Sequence, residues 1–276
     1  MTIRELERKA YDIRMDIIRA LLVAKSGHSA GPLGMADVFT ALYFHAANVD
    51  PKRRHDPNRD RIVLSNAHIC PVLYATLAHR GFCSKKAFIT SLRKLGSPFQ
   101  GHSNNHFGMG IETCGGPLAQ GISQAVGMAL AAQMNDADWH VYCLTGDGEL
   151  NEGQCWEAIM LAGKEQLPGL TVIVDRNHIQ IDGDTEDIMP LEPLGDKWRA
   201  FGWHVIDIDG HNMPDILDGL EAARAYKTAP TVILAHTIPG KGVSFMENKY
   251  EWHGKPPNEA EAAQALLELQ TTHDRL

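Results

Sequence analysis

From Ile3 to Lys25 the apolar residues Leu6, Ala10, Ile13, Ile17 and Leu21 recur at helical spacing. They predict an amphipathic helix that ends at Ser26-Gly27, where glycine can take a left-handed cap. A second helical stretch is expected over 35–46, after the loop GHSAGPLG. The pattern then changes to short apolar runs rich in β-branched residues: RIVLS (61–65), HVYCLT (140–145), LTVIVD (170–175), WHVIDID (203–209) and TVILAH (231–236). Runs this short and this apolar read as strands buried on both faces. Helical patterns separate the later ones, at roughly 117–134, 154–165, 190–201 and 213–227. Strands alternating with helices imply right-handed crossovers. The expected fold class is therefore α/β, a parallel sheet covered by helices on both faces. The closing NEAEAAQALLELQ predicts a last helix, a candidate to pack on a partner. No internal repeat, low-complexity tract or linker divides the chain, so residues 1–276 are expected to form a single domain.

Composition narrows the function. A net charge of −8 argues against broad binding to nucleic acid or an anionic membrane, while leaving room for a local basic pocket. No stretch approaches the roughly 18 apolar residues of a membrane helix. Charges recur through the first 25 residues, so a secretory signal is not expected there. The cysteines Cys70, Cys83, Cys114, Cys143 and Cys155 form no C-x-x-C pair, which fits a reduced cytoplasm better than a disulfide framework.

In open parallel sheets, ligands sit at the carboxyl ends of strands. TGDG (145–148), DRNHIQIDG (175–183) and AHTIPGKG (235–242) fall there. TGDG lacks both the dinucleotide and the P-loop glycine spacing. Its aspartate, followed by Glu149 and Glu152, would repel a bare phosphate. A divalent cation between Asp147 and a diphosphate removes the conflict, because Mg²⁺ commonly joins a carboxylate to phosphate oxygens. Further oxygen ligands are expected from the next strand end. There Asn177 offers an amide oxygen and Ile179 a backbone carbonyl, about thirty residues after Gly148. Among fourteen histidines, His28, His68, His102 and His253 each sit beside small residues in a loop. Imidazole suits proton transfer near neutral pH. His102 and His106 have a spacing that zinc could use, but no third ligand lies nearby in sequence.

A GDG turn followed by Asn at this distance is the thiamine-diphosphate motif. The chain resembles the N-terminal, diphosphate-binding third of transketolase through KSGHSAGPLGMAD (25–37), RDRIVLSNAH (59–68), GGPLAQGISQAVGMA (115–129), GDGELNEGQCWEA (146–158) and WHGKPP (252–257). The resemblance implies a thiamine-diphosphate-binding fold. Asp147, Asn177 and the Ile179 carbonyl would hold Mg²⁺ or Ca²⁺, and Gly148 would give an N–H to the diphosphate. Gly116 and Leu118 would line the cofactor. His68 and His253 would contact the diphosphate, and His102 the donor's terminal hydroxyl. His28 and His253 would exchange protons with substrate oxygens. Glu152 and Glu157 match two interface acids that link cofactor sites, although Glu157 reads equally well as a solvated helix acid.

The resemblance also implies two-carbon ketol transfer from a ketose or its phosphate to an aldose or its phosphate. Two blocks depart from the family: NAHIC replaces N-G-H-G-S, and GHSNNHFG replaces G-H-P-E. Both alter the substrate side of the expected pocket. Transketolases run to more than twice this length, and their middle domain brings the glutamate that activates the cofactor. The chain is therefore expected to be one subunit of a split transketolase. Its partner would be a separately encoded C-terminal subunit, in an (αβ)₂ heterotetramer. A 1-deoxyxylulose-5-phosphate synthase, a dihydroxyacetone synthase, a truncated piece and a non-catalytic cofactor-binding module are the other readings.

Overall fold

The structure, a computed structural model, describes residues 1–276. In chain order the helices are α1 (Ile3–Ala24), α2 (Ala30–Gly34), α3 (Ala36–Ala41), α4 (Cys70–Arg80), α5 (Lys85–Ser91), α6 (Gln120–Met134), α7 (Gly153–Lys164), α8 (Thr185–Ile188), α9 (Leu194–Ala200), α10 (Met213–Ala225) and α11 (Glu259–Arg275). The strands are β1 (Arg61–Leu64), β2 (Val141–Gly146), β3 (Leu170–Arg176), β4 (Ile179–Gln180), β5 (Gly183–Asp184), β6 (His204–Asp209) and β7 (Thr231–His236). Five strands form one sheet in the order β1-β2-β3-β7-β6, and every pairing in it is parallel. β4 and β5 make a small antiparallel hairpin.

Alternation along each strand shows why the runs are apolar throughout. Tyr142 and Leu144 of β2, with Ile173 of β3 and Ile233 of β7, enter a large core on one side of the sheet. Val141 and Cys143, with Val172, Val174 and Val232, enter a second core on the other. Both faces are covered, so neither can be polar. The first core is closed by α1, α3, α4, α5, α10 and α11, the second by α6, α7 and α9. No helix is long and apolar enough to cross a membrane.

The strands appear where expected, and four helical expectations shift. α1 ends at Ala24, with Lys25 rather than Gly27 as its left-handed cap. The 35–46 stretch divides into α3 and a wider π turn over Leu42–Ala46. The helix expected over 190–201 begins at Leu194, with Pro193 as its N-cap residue. The last helix packs on α1 of the same chain, because Ala262, Ala265 and Leu269 make one buried face.

One buried ion pair fixes the start of the chain to the sheet. Arg14 of α1, fully buried, forks onto Asp37 of α3 at 3.1 and 2.6 Å and donates to the Leu33 carbonyl at 3.0 Å. Asp37 also meets His211 Nδ1 at 2.8 Å, and His211 Nε2 accepts from Ile238 N at 2.7 Å. The loop carrying His28 thus lies between two helices tied to the strand ends. Removing one partner strands a buried charge, which costs about 3–5 kcal/mol. Asp37→Ala is expected to lose that much in urea unfolding, with Arg14→Met/Asp37→Leu recovering most of it. A loss below about 1 kcal/mol for Asp37→Ala would contradict the arrangement.

Candidate active site

The carboxyl ends of β1, β2 and β3 open into one cavity of about 380 Å³, inside the roughly 300–1,000 Å³ range of small-molecule sites. His28, His68, His102, Gly116, Leu118, Asp147, Gly148, Asn177, Ile179 and His253 all line it. The sequence therefore brings ten of its twelve candidate residues to one place; Glu157 lies outside it, and so does Glu152. It is the N-cap residue of α7 rather than part of its first turn, with an extended backbone and no capping bond, and its side chain is exposed. Glu157, one turn on, is exposed too.

The central device is Glu149, 2% exposed and facing no cation. Its Oε1 accepts from Ser65 Oγ and Ala119 N, both at 2.6 Å. Its Oε2 accepts from Thr145 Oγ1 at 2.6 Å and Gly146 N at 3.1 Å. Hydrogen bonds to a charged group are each worth about 1.5–3 kcal/mol, and together they offset the desolvation of a buried carboxylate. They also join three loops: the one after β1 with Asn66 and His68, the one before α6 with Gly116 and Leu118, and the GDG turn. Gly121 allows this close approach, since a Cβ there would lie 2.5 Å from Ser65 Cα. Gly116 has φ +147 with open space beside it, so it turns the chain and leaves the cavity wall bare.

Asp147 is 1% exposed. Its Oδ1 accepts from Gly148 N at 2.7 Å, and its Oδ2 from His178 N at 2.8 Å and Arg176 Nη1 at 3.0 Å. Burial raises its carboxyl above the ordinary range, and Arg176 offsets only part of that. Asp175 beside it is pushed up to about 7 by burial and by the Asp147 charge. Asn177 donates to Asp175 at 2.9 Å, while its Oδ1 accepts from Ile179 N at 3.0 Å in a tight side-chain turn. Two buried acids, a carboxamide oxygen and a backbone carbonyl at one strand-end corner suit a hard cation with oxygen ligands. The Asn66 Oδ1 and His28 Nδ1 atoms are buried without partners, which suits a polar ligand. No cluster of three or more His, Cys, Asp or Glu side chains forms a metal centre, so His102 and His106 gain no third zinc ligand.

His28, His68 and His253 pack in a triangle with ring centroids 4.9, 5.1 and 5.4 Å apart. Burial drives all three down, His68 well below its usual value and His28 to about 4, helped at His28 by the His253, Arg93 and His102 charges. His102 at the rim is lowered as well, by burial and by Arg93. Neutral imidazoles are proton acceptors, and an anionic ligand would favour their protonated forms. Sequence reading missed Asn66, Glu149, Asp175, Gln180 and Ile181 in this wall. All five lie inside motifs already singled out. Ile181 is 63% exposed at the cavity mouth.

The chain belongs to the family described as transketolase, thiamine diphosphate binding domain, which matches residues 7–273. It is 42% identical over 266 residues to a 6-deoxy-6-sulfo-D-fructose transketolase subunit of a Clostridium species, covering 96% of each chain. It is 38% identical to an apulose-4-phosphate transketolase subunit of Phocaeicola vulgatus, covering 100% of this chain and 98% of that one. The crystal structure of Campylobacter jejuni transketolase superposes on the whole chain with a TM-score of 0.90 and 32% identity. The chain spans 46% of that enzyme, but nearly the full length of the two subunits.

The histidine triangle has a testable consequence. Depressed imidazole values add stability that is complete above the unfolded-state 6.5 and lost as pH falls toward about 4. Asp175 acts the opposite way, adding stability as pH falls below about 7. The difference from a variant isolates the histidine part. In urea unfolding, His28→Gln is expected to gain on the parent as pH drops from about 7 to about 4.5. A difference that stays constant over that range would contradict a buried neutral His28.

Proposed function

We propose that the chain is the N-terminal subunit of a split transketolase, one domain that binds thiamine diphosphate through its diphosphate and Mg²⁺ or Ca²⁺. A separately encoded C-terminal subunit completes the site in an (αβ)₂ assembly. The observation that carries this reading is the single cavity in which a cation corner, a glycine wall and three packed imidazoles meet. The full-length correspondence with two transketolase subunits supports the division into separate chains. A cytoplasmic setting is supported by five cysteines that form no disulfide.

In this reading Asp147, Asn177 and the Ile179 carbonyl hold the cation, and the Gly148 N–H meets the diphosphate. Bound thiamine diphosphate supplies the electron sink for breaking and making a carbon–carbon bond. His68 and His253 bind the diphosphate end. His28 and His253 take and return protons at the substrate's hydroxyl and carbonyl oxygens, a role that suits their neutral resting state. His102, at the rim, hydrogen-bonds the donor's terminal hydroxyl. Gly116 and Leu118 shape the wall that orients the cofactor. Glu152 and Glu157, exposed on this chain, face the subunit interface. The substrates are a ketose donor and an aldose acceptor, free or phosphorylated. The two relatives act, by name, on a sulfonated ketose and a branched sugar phosphate, so the acceptable sugars extend beyond common ones.

Mixing the chain with its candidate C-terminal partner is expected to produce ketol transfer that neither chain shows alone. Full activity from this chain by itself would sink the split-subunit reading. In the assembled enzyme, His102→Ala should raise the donor KM at least about 10-fold, the cost of roughly one hydrogen bond to a polar substrate group, with cofactor affinity little changed. A large loss of cofactor binding would place His102 on the cofactor instead.

A further inference from the structure

Arg176 ends β3 with its side chain 1% exposed, directly after the buried Asp175. Its guanidinium is divided between two sides. Nη1 donates to Asp147 Oδ2 at 3.0 Å and to Thr185 Oγ1 at 2.9 Å. Nη2 donates to Glu186 Oε1 at 2.7 Å and Glu192 Oε1 at 2.8 Å. These acids are themselves held, Glu186 by Leu191 N at 3.2 Å and Glu192 by Leu194 N at 2.7 Å. The arginine is therefore a fixed fork whose Nη1 end reaches Asp147, one of the two carboxylates at the cation corner.

We propose that Arg176 is a positioning residue for the cation site. It aims the Asp147 carboxylate and sets how tightly and selectively a divalent cation is held. The proposal rests on the cofactor-binding reading above. Backbone N–H groups from Gly148 and His178 fix Asp147 from the loop side, and Arg176 fixes it from the sheet side. With three carboxylates around one guanidinium, the locus keeps a formal excess of two negative charges. Arg176 thus orients Asp147 without cancelling the field that draws a cation in. Partners that orient metal ligands are commonly worth roughly 10–100-fold in metal affinity. Mg²⁺ demands a near-ideal octahedron at about 2.0–2.1 Å, whereas Ca²⁺ accepts looser geometry. A misaimed Asp147 should therefore harm Mg²⁺ more than Ca²⁺, and simple destabilisation of the fold would not produce that difference.

The test is calorimetric titration of thiamine diphosphate into the chain assembled with its C-terminal partner, over a range of Mg²⁺ and then Ca²⁺ concentrations. Arg176→Met is expected to weaken Mg²⁺-dependent binding roughly 10–100-fold and to shift the Ca²⁺-to-Mg²⁺ preference toward Ca²⁺. Arg176→Lys, which keeps the charge but not the fork, should fall between Met and the parent, and decides the matter if the Met variant fails to fold. Asp147→Ala sets the scale of complete loss. Unchanged or tighter Mg²⁺ affinity, or an unshifted metal preference, in the variant that folds would overturn the proposal while leaving the function intact. A parent assembly that binds the cofactor with no metal dependence would overturn both.

Discussion

A buried carboxylate with no cation beside it holds the site together. Glu149 draws four donors from three loops, and each loop carries part of the cavity wall. Without that convergence, the loop after β1, the glycine loop before α6 and the GDG turn would have no common anchor. The sheet fixes where these loops begin; Glu149 fixes where they meet. The cost of burying its charge is offset only while all the donors stay in place, so the arrangement is close to all-or-none.

The three acids of TGDGELNE therefore divide among different tasks. Asp147 faces the cavity between Arg176, His178 and Gly148. Glu149 turns inward and ties the loops. Glu152 is exposed on this chain at the start of α7. A turn that seems hostile to phosphate becomes coherent once a cation stands between acid and anion. Burial raises the carboxyl of Asp147 and, together with the Asp147 charge, that of Asp175.

Much of this was legible in the sequence. Strands β1, β2, β3 and β7 could be read because burial makes each a compact apolar run, and the edge strand β6, only partly buried, because Val205, Ile206 and Ile208 keep it β-branched. The pairing of Asp147 with Asn177 followed from crossover length, since β2 and β3 are neighbours. By contrast, α4 escaped notice because every residue from Cys70 to Leu77 is buried, which erases the helical period, and Pro71 looks like a breaker although it sits in the first turn. α5, seven residues with Phe88 alone buried, is too short to show a period. His28, His68 and His253 could be grouped only through resemblance, because no local spacing brings such distant residues into one triangle. Glu149 and Arg176 were hidden for a simpler reason. Spacing cannot tell which of several acids turns inward, or that an arginine at a strand end is buried.

The central claim is that a divalent cation lets this acidic turn hold a diphosphate. Its most direct test is to titrate thiamine diphosphate into the assembled protein, first with Mg²⁺ present and then with excess chelator. The account predicts saturable binding with Mg²⁺, loss of that binding on chelation, and recovery when Mg²⁺ or Ca²⁺ is restored. Equal affinity with and without metal would contradict it.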